Sequence, residues 1–302
     1  MVGGKEIVQN KLRLLTYVHS LGYNQYEHML IKEALTLEAG NFQEPCNEHS
    51  RIGQVIAVMS GKGGVGKSSV TALIASKLAQ QGKRVGVLDA DITGPSIPKL
   101  LGIHGKPESC PGGLLPVRSS GGLDVMSLNL LLEEEDQPVI WRGPLIAGAV
   151  KQYWTDVVWG DLDFLIIDLP PGTGDAPLTV LQSLPVDGLV LVSTPQDLAV
   201  MIVKKAIHMA RSMDVPILGL VENMSGLTCP HCGELIEPFG PSQGAKISQE
   251  LDLAYLGGLP INPKFRELCD LGQVEQYSSQ AVDALIDNLQ SVLKGGDSDA
   301  KR

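Results

Sequence analysis

Apolar positions along the chain follow two different rhythms. In residues 1–50 they recur at helical spacing, at Val8, Leu12, Leu15 and Val18 and again at Leu30, Ala34 and Leu37. Gly22-Tyr23-Asn24 marks a turn between the two predicted helices, and Gly40-Asn41 with Pro45 ends the pattern. Residues 1–50 therefore read as a small N-terminal helical extension. From Gln54 to about Leu293 the rhythm changes to short, near-continuous apolar runs separated by helical stretches. The predicted strands are Val55–Met59, Val85–Leu88, Leu123–Met126, Phe164–Ile167, Leu189–Val192, Ile217–Val221 and Tyr255–Leu259. Predicted helices between them include Lys67–Gln80, Gly143–Val157 and Leu198–Met213. Strands apolar on both faces need cover on both sides, and intervening helices supply it. The expected fold class is α/β, a predominantly parallel sheet with helices on both faces. That domain would occupy residues 51–293, and residues 294–302, ending in GGDSDAKR, would form a disordered tail.

Composition narrows the setting. The 302 residues carry 24 Lys+Arg against 34 Asp+Glu, a formal charge of −10. Net acidity argues against non-specific nucleic-acid binding, which depends on cations meeting phosphates. No apolar run approaches the ~18–20 residues that span a bilayer, so neither nucleic acid nor membrane is an expected partner. The opening MVGGKEIVQNKLRLL lacks the apolar stretch of a signal peptide, which places the expected location in the cytoplasm. Five cysteines is an odd count. In a reducing compartment, paired cysteines are better read as metal ligands or redox groups than as a disulfide framework.

The first chemical motif follows the first predicted strand. GKGGVGKS runs from Gly61 to Ser68, between an apolar strand and a helix, which is where a phosphate loop must sit. Its backbone, from Gly61 through Lys62, Gly63, Gly64, Val65 and Gly66, could approach a nucleotide phosphate closely, with Lys67, Ser68 and Ser69 at the helix start. Lys67 would meet the β- and γ-phosphates of ATP, and the Ser68 hydroxyl would hold Mg²⁺. Carboxylates then follow strand ends: Asp89 and Asp91 in DADITGPSIP after Val85–Leu88, and Asp168 in DLPPGTGD after Phe164–Ile167. Asp168 is the expected Walker B carboxylate for Mg²⁺, with Pro170–Asp175 as a loop that senses the γ-phosphate.

Lys62, the second residue of the motif, makes the loop similar to the "deviant" Walker A group of dimeric P-loop ATPases. That resemblance implies that Lys62 reaches the partner subunit's nucleotide and that Asp91 positions the attacking water. It also implies that Asp89 lies near Mg²⁺ through water, and that Asn223, after Ile217–Val221, reads an adenine edge.

The second motif is CPHCG, Cys229 to Gly233. A C-x-x-C turn ending in Gly aims two thiolates at one point, half of a four-thiolate site for Zn²⁺ or an iron–sulfur cluster. Cys46, Cys110 and Cys269 are widely separated singletons, so the chain offers no second pair. The residues leave open a redox pair, a structural zinc knuckle, or a four-cysteine site completed by a second subunit.

From about Gln54 to Gln276 the chain resembles the Mrp-type P-loop ATPases, the iron–sulfur cluster carriers. The motifs that carry the resemblance are GKGGVGKS, DADITGPSIP, WRGP (Trp141–Pro144), DLPPGTGD, VENMSG (Val221–Gly226), CPHCG and GLPINPKFRELCDLG (Gly258–Gly272). The resemblance implies a homodimer that binds a [4Fe–4S] cluster through Cys229 and Cys232 of each subunit and uses ATP in handling it. Its implied partners are a cluster-assembly scaffold and apo iron–sulfur proteins. The upstream four-cysteine segment or small α/β domain of many members is absent here. Two rivals remain: a spatial-positioning ATPase like ParA and MinD, and a zinc-stapled adaptor switched by ATP.

Overall fold

The structure, a computed structural model, describes residues 45–91, 94–131, 143–196 and 199–299. Eight strands form one sheet: β1 Arg51–Ser60, β2 Val85–Asp89, β3 Val117–Arg118, β4 Asp124–Ser127, β5 Asp161–Asp168, β6 Gly188–Ser193, β7 Ile217–Asn223 and β8 Tyr255–Leu259. Their spatial order is β8-β7-β6-β1-β5-β2-β4-β3. Every neighbouring pair is parallel except β3 with β4. The expected α/β fold with a mostly parallel sheet is what the chain adopts.

Alternation along β1 shows how the two faces are filled. Ile56 and Val58 enter one core, while Val55, Ala57 and Met59 enter the other, because successive side chains of a strand point to opposite faces. Helix α1, Lys67–Gln80, covers the first face with Val70, Ile74 and Leu78 buried, and its limits match the predicted helix. Short α2, Ile97–Leu100, follows β2. Helices α3 (Gly143–Thr155), α4 (Asp175–Ser183) and α5 (Ala199–Ser212) follow. Tyr153 and Trp154 of α3, Val180 of α4 and Val203 of α5 lie in the second core. Trp159 joins Trp154 there, where α3 packs on the sheet; Trp141 lies outside the described residues. Helices α6 (Gly244–Glu250), α7 (Pro263–Asp270) and α8 (Gln280–Asp299) complete the chain.

Three expectations change. Predicted helix Gly143–Val157 ends at Thr155, since Val157 leaves it to bridge Leu114. Residues 45–50 belong to the folded domain instead of the extension: Cys46 packs on the second core, the Asn47 backbone N–H donates to the Trp154 carbonyl at 3.2 Å and its side-chain amide to that of Thr155 at 2.9 Å. These bonds satisfy carbonyls that the last turn of α3 leaves without helical partners. The tail expected to be disordered from residue 294 instead continues α8 through Asp299, as extension of a nucleated helix adds one hydrogen bond for each residue fixed. The two helices predicted within residues 1–50 lie outside the described residues.

The sheet margins differ from its middle. β3 is two residues long and antiparallel, and β8 carries a register shift between Tyr255 and Gly257. Parallel register brings the carboxyl ends of β1, β5 and β2 together, with Val58 opposite Asp168 and Asp168 opposite Asp89.

Candidate functional site

β1 ends at Ser60 and α1 starts at Lys67, so Gly61–Gly66 forms the loop between them. Gly66 has φ 79°, a left-handed conformation that side chains disfavour. A Cβ there would also collide with the Asn223 amide. At Gly63, by contrast, a Cβ would meet nothing within 4 Å. The fold thus leaves open space over that part of the loop backbone, which suits the close approach of a phosphate.

Behind the loop stands Asp168, fully buried at the end of β5. Lys67 Nζ lies 2.8 Å from its Oδ1, Thr71 Oγ1 donates to the same oxygen at 2.8 Å, and Ser68 Oγ donates to Oδ2 at 2.5 Å. Burial raises the Asp168 carboxyl above the usual range, while Lys67 and the two hydroxyls pull it back. Lys67 Nζ also lies 3.6 Å from Asp91 Oδ2. The structure therefore brings Lys67, Ser68, Asp91 and Asp168 together. Ser69 continues the first turn of α1. Hard oxygen donors at Ser68 and Asp168, beside a phosphate loop, fit a Mg²⁺ ion.

Asp89 is the cross-strand neighbour of Asp168, yet its own hydrogen bonds run to the following turn. Its Oδ1 accepts from the Asp91 N–H at 3.2 Å; its Oδ2 accepts from the Ser96 and Ile97 N–H groups and the Ser127 hydroxyl at 3.1–3.2 Å. Burial, then the Asp168 charge, push the Asp89 carboxyl up to about 8. In this arrangement Asp89 sets the position of Asp91. The Pro170–Asp175 loop meets the nucleotide loop's root, with the Gly172 N–H donating to the Ser60 carbonyl at 2.9 Å.

Lys62 Nζ donates to Gln196 Oε1 at 2.6 Å, just past β6. Asn223 Nδ2 donates to the Val65 carbonyl at 2.9 Å, so this amide braces the phosphate loop. Sequence reasoning missed Thr71, Gln196 and Ser127. Thr71 could have been found, since it stands four residues after Lys67 on the same helix face; Gln196 and Ser127 gave no local signal.

The cysteines occupy a different setting. Leu227–Thr228 and Leu235–Ile236 pair as a two-residue antiparallel hairpin, with CPHCG at its tip. Gly233, at φ 76°, makes the reversal that lets its N–H donate to the Cys229 carbonyl at 2.9 Å. The Cys229 N–H returns a bond to the Glu234 carbonyl at 2.8 Å. Backbone N–H groups of Cys232 and then His231, with the Cys232 thiol, lower the Cys229 pKa. Cys232 is exposed and Cys229 half-buried, and Leu235, Ile236 and Phe239 beside them are 60%, 45% and 37% exposed. Two thiols elsewhere contrast with this: burial raises Cys46, and pushes Cys269 up to about 11. Among the described residues no cluster of three or more His, Cys, Asp or Glu side chains is placed to hold a metal ion.

Comparison with known proteins matches this architecture. The family model described as NUBPL iron-transfer P-loop NTPase, of the ParA group, covers residues 51–293. An "iron-sulfur cluster carrier protein" of Methanocaldococcus jannaschii is 49% identical over 225 residues, 74% of this chain and 78% of the relative. The mouse (Mus musculus) "iron-sulfur cluster transfer protein NUBPL" is 44% identical over 232 residues, 76% of this chain and 72% of that protein. A solved nucleotide-binding protein of Archaeoglobus fulgidus, in complex with ADP, superposes with a TM-score of 0.69 at 48% identity, covering 76% of this chain and 90% of its own.

Proposed function

Because the chain belongs to the NUBPL-type family of iron-transfer P-loop NTPases, we propose that it binds and hydrolyses ATP and carries an iron–sulfur cluster for transfer to apoproteins. In this reading the cluster is cargo, a [4Fe–4S] unit bridged by Cys229 and Cys232 of two copies of the chain. The single observation that carries it is the exposed hairpin tip, where a thiol of lowered pKa pairs with an exposed one. Two thiolates are half of what a four-iron cluster needs, and a second copy supplies the same two by symmetry.

At the nucleotide end, the loop backbone and Lys67 bind and orient the phosphates, and Asn223 faces the base. Ser68 and Asp168 would hold Mg²⁺, with Asp89 behind them. When bound, that ion neutralises charge on the phosphate oxygens. Asp91 orients the water for attack on the γ-phosphate, its backbone N–H fixed by Asp89. Lys62 reaches the partner copy's nucleotide when two subunits close, releasing Gln196. A scaffold that builds clusters is the donor, apo iron–sulfur proteins are the recipients, and the cytoplasm is the setting. No described helix is long and apolar enough to cross a membrane.

Anaerobic reconstitution tests the reading. The wild-type protein should take up about two irons and two sulfides per chain and run as a dimer in solution. Cys229→Ser or Cys232→Ser should strip the cluster, since oxygen is a poor match for this chemistry. Four irons on a stable monomer, zinc without sulfide, or a cluster retained by the double variant overturns it.

A further inference from the structure

Glu222 is only 1% exposed at the end of β7, and neither nucleotide binding nor thiol ligation uses it. A carboxylate taken out of water is costly unless hydrogen bonds replace its hydration. Here they come from across the cysteine segment. The Ser242 hydroxyl donates to Oε2, and the Gln243 N–H donates to Oε1 at 2.8 Å, from positions 20 and 21 residues further along the chain. The loop that leaves β7 toward Cys229 and Cys232 thus returns to one buried carboxylate. The approach is close: a Cβ at Gly244 would fall against the Tyr255 ring and Glu222 itself. The outgoing limb is tied down separately, as the Ser225 N–H donates to the Leu259 carbonyl at 3.0 Å and the Ile261 N–H to that of Gly226 at 2.7 Å.

The next residue along the strand is Asn223, which holds the Val65 carbonyl of the phosphate loop. Consecutive strand residues face opposite sides, so one strand end grips the nucleotide loop on one side and the cysteine segment on the other. Immediately after it Met224 turns in the left-handed region at φ 59°, so the segment leaves the strand abruptly and any shift of the strand end is passed to it.

We infer that Glu222 is a positioning residue: by clasping Ser242 and Gln243 it ties the cysteine segment to the strand end that braces the phosphate loop, so that nucleotide occupancy alters access to Cys229 and Cys232. The inference rests on the reading of those cysteines as the cargo site. A nucleotide base that engages Asn223 competes with the Val65 carbonyl for its amide, which supplies the differential interaction that coupling requires.

The test uses the reduced, cluster-free full chain. Maleimide alkylation at Cys229 and Cys232 is followed by mass spectrometry, without nucleotide and with saturating Mg-ADP or a non-hydrolysable Mg-ATP analogue. In the wild type, nucleotide should change the rate about five-fold or more, the lower range of measured site-to-site couplings. Glu222→Met, which keeps the side-chain length but offers no oxygen acceptor, and Ser242→Ala should each bring that ratio below about two-fold, with nucleotide affinity within about three-fold of wild type. Ser242→Ala removes the hydroxyl bond of the clasp while leaving the carboxylate, which guards against a Glu222→Met chain that fails to fold. A purely structural role would change the alkylation rates with and without nucleotide alike and leave their ratio intact. A wild-type ratio near one, or a full ratio in a folded variant, overturns the inference. Failure of the carrier reading shows separately, as absence of iron and sulfide in the reconstituted wild type.

Discussion

Asp168 lies fully buried beneath three donors from a single helix, whereas Cys229 and Cys232 sit at the tip of a hairpin whose strands are two residues long. The nucleotide site is assembled by the register of the central strands, and Lys67, Ser68, Asp168 and Asn223 each already have a partner within the chain. The cysteine pair has backbone support for one thiolate and leaves Cys232 exposed to whatever approaches it. The contrast teaches that one domain can bury one cluster of polar side chains deep in its sheet while leaving a pair of thiols on its surface, which on the proposed reading is half of a cargo site. A site of the first kind responds to mutation through charge and burial, a site of the second kind through what meets it.

The largest expected effect is at Lys67. Lys67→Ala removes a buried ammonium that faces two carboxylates and the expected phosphates. Calorimetry should show ATP binding weakened by about 3 kcal/mol, roughly 100-fold or more. Asp91→Asn, in the same cluster, should leave ATP affinity within about three-fold while slowing hydrolysis roughly 100-fold. Equal loss of binding in both variants would erase the division of roles within the buried site.

The next test separates the thiols by pH. Thiolate is the reactive form, so reactivity rises as pH climbs through each group's own pKa. Cys229 lies below the ordinary 9.0 and Cys269 is pushed up to about 11. Alkylation of Cys229 should therefore reach half its maximum at lower pH than that of Cys269 in the same folded sample. Coincident profiles would remove the electronic half of the comparison.

The smallest effect on a single chain is expected at Lys62. Its bond to Gln196 is exposed, and such contacts contribute roughly 0–1 kcal/mol, so Lys62→Ala should melt within about 2–4 °C of wild type. Its consequence should appear between copies instead. Mixed with hydrolysis-dead Asp91→Asn subunits, Lys62→Ala subunits should change ATP turnover in a subunit-specific way, and strictly additive turnover would sink the cross-subunit role.

Much of the buried region was legible in the sequence because its determinants are local. A Gly-rich run between strand and helix fixes the phosphate loop, and α1 kept its predicted limits of Lys67 and Gln80. Strands such as β1 and β5 grew beyond their apolar centres, to Arg51–Ser60 and Asp161–Asp168, since ladder hydrogen bonds continue where side chains become polar. What could not be read was register. Nothing near Asp89 announces that Asp168 stands opposite it, or that Ser127 donates to it. Glu222 stands in the VENMSG motif, but nothing there points to Ser242, and only the return of the cysteine segment joins them. Residues 45–50 read as part of the N-terminal extension because a helix end 108 residues further along the chain leaves no trace beside Asn47.

The margins of the sheet carry a consequence for solubility. An open strand edge is a template on which a second molecule can add a strand and go on adding. Here one edge is a two-residue antiparallel strand, with Arg118 paired across it to Asp124 at 3.7 Å, and the other is interrupted by a register shift between Tyr255 and Gly257. Both margins are poor templates for polymerisation. A protein that must show apolar side chains and reactive thiols on one hairpin is thereby spared a second adhesive surface, and its encounters with other molecules are steered away from fibrils.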